Sequence, residues 1–104
     1  MKAKSVNITL PAERSLNHIY QYFLEEVSPE VAVKIVDRVL DRIELLEENY
    51  QRGRLVEELR LLNQGHRYVI EGPFKIIYKV IDASVFVTDI FSMYQNPERI
   101  IQRT

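Results

Sequence analysis

The chain has 104 residues, a mass of 12.3 kDa and a net charge of −1. That length fits one domain spanning 1–104, with 46% apolar and 28% charged residues as in an ordinary globular protein rather than a disordered one. It has no cysteine, which excludes disulfides, thiolate zinc sites and cysteine nucleophiles, and two distant histidines (His18, His66) do not suggest a metal cluster.

No apolar run approaches the roughly 20 residues a membrane-spanning helix needs. Met1–Val6 has lysines but no apolar stretch after them, so it does not read as a secretory signal, and a cytoplasmic location is expected. Charge is unevenly spread. Residues 25–50 hold eight acids against three bases, while residues 51–81 hold six bases against three acids, so the second half has the composition to offer a basic face.

In chain order, residues 4–10 alternate, with Val6, Ile8 and Leu10 on one side, which predicts a half-buried strand. Pro11 suits the first turn of a helix. Leu16, Ile19, Tyr20, Phe23 and Val27 then mark one apolar stripe on that helix. Ser28-Pro29-Glu30 is a helix start: a serine cap, proline at the first position and an acid at the positive end of the dipole. The second helix is expected to run to about Glu48, with Ala32, Ile35, Val36, Val39, Ile43 and Leu46 as its buried stripe. The short link between the helices predicts an antiparallel helical hairpin.

Gly53 marks a turn. Residues 55–62 fit either a short helix or the start of a strand. Three strand-like runs follow, His66–Glu71, Phe74–Ile81 and Ser84–Phe91, joined at Gly72-Pro73 and Asp82-Ala83 by tight hairpins. Asn96-Pro97-Glu98 reads as a cap for a C-terminal turn. The expected fold is α+β in the order β-α-α-β-β-β, with a helical hairpin packed on one face of a mostly antiparallel twisted sheet. The other face, or one edge, should be open.

Several segments together resemble the RelE/ParE superfamily of bacterial toxins from type II toxin–antitoxin modules. They are Leu16-Asn17-His18-Ile19-Tyr20-Gln21-Tyr22-Phe23, Gly53-Arg54-Leu55-Val56-Glu57-Glu58-Leu59, Gly65-His66-Arg67-Tyr68-Val69-Ile70, Phe74-Lys75-Ile76-Ile77-Tyr78-Lys79-Val80 and Val85-Phe86-Val87-Thr88-Asp89-Ile90-Phe91. The resemblance implies a growth-inhibitory toxin, neutralised by a cognate antitoxin and needing no cofactor. It implies one of two targets: DNA gyrase for ParE-like members, or ribosome-bound mRNA, cut by RelE-like endoribonucleases. A homologue that only binds a partner is the third possibility.

Metal-free RNA cleavage needs a base, cations for the phosphorane charge and an acid for the leaving oxygen. By family position Glu57 matches the base, Arg67 and Lys75 the cations, and Tyr94 the acid or stacking residue. Arg67 and Lys75, on adjacent strands, are expected to bring their heads to one phosphate. His18 and His66 read as packing or capping residues. The run Phe91-Ser92-Met93-Tyr94-Gln95 carries neither the His nor the Arg that ribosome-dependent members often have, and the chain is slightly acidic. Both features favour the ParE-like reading, in which Phe91, Met93 and Tyr94 offer an apolar surface to a protein target.

Overall fold

The fold is that of a computed structural model, which describes residues 2–57 and 65–93. Strand β1 (Val6–Ile8) leads into helix α1 (Leu10–Glu26), followed by α2 (Pro29–Glu44), a single turn α3 (Leu46–Asn49), a short strand β2 (Arg54–Leu55), and strands β3 (Arg67–Glu71), β4 (Phe74–Ile81) and β5 (Ser84–Ser92). The strands form one sheet in the order β1-β5-β4-β3-β2, antiparallel except where β1 runs parallel to β5. The α+β hairpin-on-sheet expectation therefore holds.

Local chemistry accounts for the element ends. The Ser28 hydroxyl accepts from the Val31 amide at 3.2 Å, and Pro29 opens α2 with the one residue type that lacks the donor this position cannot use. Thr9 precedes α1 without capping it; its hydroxyl donates across to the Val87 carbonyl at 2.7 Å instead. Leu10 is thereby drawn into the helix, and β1 ends at Ile8, two residues short of the expected strand. The second helix also ends earlier than expected. It breaks at Leu45, and the extra turn α3 drops Leu46 and Tyr50 into the core.

One face of the sheet carries Val69, Phe74, Ile76, Tyr78, Val85, Val87 and Ile90, packed against Ala12 and Leu16 of α1, Val39 and Ile43 of α2, and Leu46 of α3. Val87 and Ile90 are three residues apart, which strict alternation would send to opposite faces. A β-bulge resolves this: Tyr78 pairs with Val87 while Ile77 pairs with Asp89, leaving Thr88 extra. The far face holds a smaller cluster of Val56, Ile77 and Phe91 with Tyr68 against it. No helix among the described residues is long and apolar enough to cross a membrane.

Candidate functional site

Three arginines of the basic half, Arg52, Arg54 and Arg67, meet at the loop between α3 and β2. Tyr78, fully buried, donates its hydroxyl to the Tyr50 carbonyl at 2.8 Å and accepts from the Gly53 amide at 3.1 Å. Burial pushes the phenol above its ordinary pKa, so it stays a proton donor; the Gly53 amide and the charges of Arg67 and Arg42 oppose that rise. Arg67 completes the junction by donating to the Gly53 carbonyl at 2.7 Å. Any Cβ at Gly53 would fall on the Tyr78 hydroxyl and ring, so glycine is required there for close approach.

This junction pins the loop against the sheet and sets Arg52 and Arg54, both exposed, along a cleft of about 290 Å³ lined also by Gly53, Tyr68, Val69 and Ile70. β2 pairs only with Arg67 and Tyr68. Beyond it, the outer edge of β3 from Val69 to Glu71 has no neighbouring strand among the described residues, so its backbone groups face the arginine-lined cleft.

Of the expected site residues, Arg67 and Lys75 are not brought together. The two-residue Gly72-Pro73 turn pairs Arg67 with Tyr78 and Lys75 with Ile70. Paired residues share a face and the pairs lie three residues apart, so Arg67 and Lys75 point to opposite faces of the sheet. The expectation that they meet at one phosphate is corrected accordingly. Arg67 turns to the helix side and holds Gly53, while Lys75 lies over the Tyr68 ring on the far side, 4.8 Å from its centroid. Glu57 is exposed just past β2, after Val56, whose amide donates to the His66 carbonyl at 2.9 Å. Tyr94 lies outside the described residues.

The junction residues Tyr78 and Gly53 were missed as functional candidates. Counting outward from the Gly72-Pro73 turn would have placed Tyr78 beside Arg67, the signal that was available. Buried Asp89, which accepts from the Ser15 hydroxyl at 2.5 Å and the Ile90 amide at 2.8 Å, was also missed because its partner lies 74 positions away in the chain. No group of three or more metal-ligating side chains occurs among the described residues.

A helical hairpin laid on one face of a five-stranded, mostly antiparallel sheet defines an α+β protein. The family described as ParE toxin of type II toxin-antitoxin system, parDE, matches residues 6–97, and the chain belongs to it. A solved structure titled "Chromosomal ParDE TA system from P. aeruginosa" shares the fold, with a TM-score of 0.71 and 22% identity over 85% of this chain and 94% of that one. No curated protein matches the sequence.

Proposed function

We propose that this toxin-family chain arrests growth by binding a protein target, DNA gyrase, rather than by cutting RNA, and that a cognate antitoxin neutralises it. The observation that carries this reading is the β3–β4 register. A nuclease of the expected type needs Arg67 and Lys75 on one phosphate, and the register sends them to opposite faces, with Arg67 engaged by Gly53. Binding a protein needs no such constellation.

The antitoxin contact has its own support. The outer edge of β3 beside Arg52 and Arg54 suits an extended, acidic peptide, which would gain main-chain hydrogen bonds from the edge and charge complementarity from the arginines.

Induced expression without antitoxin, read by plasmid supercoiling and by translation, tests the target. Growth arrest should begin with altered DNA topology while translation continues, and Glu57→Gln, Lys75→Ala and Tyr94→Phe should all remain toxic. Immediate mRNA cleavage, abolished by Lys75→Ala, would establish the nuclease reading instead.

A further inference from the structure

Every second residue of β3 and its lead-in turns its backbone groups to the outer side of the sheet. The His66 carbonyl accepts there from the Val56 amide at 2.9 Å, and Tyr68 is the partner of Arg54. By the same period of two, Ile70 turns its N–H and C=O to that side, where no strand among the described residues takes them.

An extended segment laid beside Ile70 cannot run on along β3 toward Arg67. The places beside Tyr68 and Arg67 are filled by Arg54 and Leu55, so the segment meets the end of β2 head-on. Gly53 would pair with Val69 if β2 continued. Its amide and carbonyl are held by Tyr78 and Arg67 instead, and the chain leaves the sheet there. The cleft between Arg52, Gly53 and Arg54 on one side and Val69 and Ile70 on the other is the gap this leaves. A partner strand therefore stops, or turns outward, in that cleft.

Charge decides which end of a chain fits. Arg52 and Arg54 are both exposed, and neither makes an ion pair among the described residues. Glu57 follows β2 toward His66, away from the cleft, and Glu71 stands at the other end of the uncovered stretch. Two guanidinium groups repel an N-terminal ammonium and suit a carboxylate, which each can hold through parallel N–H···O bonds. With its carboxylate at the arginines and its incoming chain beside Glu71, the segment runs antiparallel to β3, as β2 does.

We infer that this cleft is a receptor for a chain end: it takes the free C-terminal carboxylate of the antitoxin between Arg52 and Arg54, with the residues before it paired to Ile70 as a short antiparallel strand. The inference rests on the proposed antitoxin contact at this edge and adds the direction of the segment and the group that ends it.

Synthetic peptides of the cognate antitoxin's C-terminal segment test this, one a free acid, one a carboxamide and one a free acid extended by Gly-Ser-Gly-Ser. Each is titrated into the purified full chain by calorimetry, with hydrogen exchange at the Ile70 amide followed by NMR. The acid and the carboxamide should each slow exchange at Ile70, because the main-chain pairing is common to both. The acid should bind roughly tenfold tighter than the carboxamide or the extended peptide, a gap that high salt narrows. Arg54→Met should close most of that gap by weakening the acid alone, and Arg54→Lys should keep part of it. Protection of Ile70 with equal affinity for all three peptides, or a gap indifferent to both Arg54→Met and Arg52→Met, would overturn the chain-end assignment and leave the edge contact standing. No protection of Ile70 by any peptide would remove the edge contact itself and the assignment with it.

Discussion

Tyr78 shows how much one hydroxyl can hold. Its ring fills the centre of the main core, while its oxygen joins Tyr50 and Gly53 at the base of the arginine-bearing loop. Tyr78→Phe keeps the packing but leaves a buried amide and a buried carbonyl without this partner, a loss of about 1–3 kcal/mol. For a domain of this size that lowers Tm by roughly 5–15 °C. Gly53→Ala should destabilise through the same junction, because its methyl and the Tyr78 hydroxyl compete for one space. Tyr68→Phe is the comparison: Tyr68 is half-buried and its ring still carries Lys75, so Tm should hardly change. Thermal unfolding of the three variants checks this; equal effects of Tyr78→Phe and Tyr68→Phe would dissolve the junction as a structural device.

At the scale of elements, the β4–β5 hairpin carries a local conflict. Its two-residue turn holds Asp82 at φ 52° and Ala83 at φ 64°, a pair of left-handed residues that matches the twist of the flanking strands. Asp accepts that region through local hydrogen bonding, but alanine's Cβ makes it cost about 1–2 kcal/mol. The Ala83 carbonyl is still needed, since it accepts from the Lys4 amide at 2.9 Å. Ala83→Gly keeps the carbonyl and removes the clash, at some cost in unfolded-chain entropy, and should raise Tm by about 4 °C. A lower Tm would mean that the turn relaxes on its own.

The elements that sequence periodicity exposes are those whose signal is local. The stripes Leu16, Ile19, Phe23 and Ala32, Val39, Ile43 face inward as their spacing requires, and Phe74, Ile76 and Tyr78 share the helix-facing side of β4. Ser28 caps as its identity suggests. What was hidden depends on distant partners. The bulge at Thr88, the parallel pairing of β1 with β5 and the Ser15–Asp89 contact join residues 70 or more positions apart, or hinge on one skipped pairing, and no window of sequence contains them. Arg67 and Lys75 part for a different reason: adjacency across a hairpin does not mean shared facing, because a two-residue turn fixes the pairing and with it the face of every side chain.

At the scale of the whole molecule, the two edges of the sheet are closed unequally. Among the described residues, β1 covers one side of β5 over three residues, and β2 covers only two residues of β3. The uncovered stretch sits beside Arg52 and Arg54, in the segment of the chain where bases outnumber acids, whereas the exposed side of α2 carries Glu30, Asp37, Asp41 and Glu44 among its bases. The chain therefore offers one basic, hydrogen-bond-competent edge and one largely acidic helical flank. On the proposed function, the arginine edge is the part suited to an acidic segment of the antitoxin.

The most direct measurement is a supercoiling assay with purified gyrase, ATP, relaxed plasmid and increasing amounts of this chain, repeated with antitoxin peptide in excess. The account predicts loss of supercoiling and accumulation of gyrase-linked cleaved DNA, reversed by the peptide and retained with Lys75→Ala. Full supercoiling at stoichiometric excess of the folded chain, with no cleaved DNA, would contradict it.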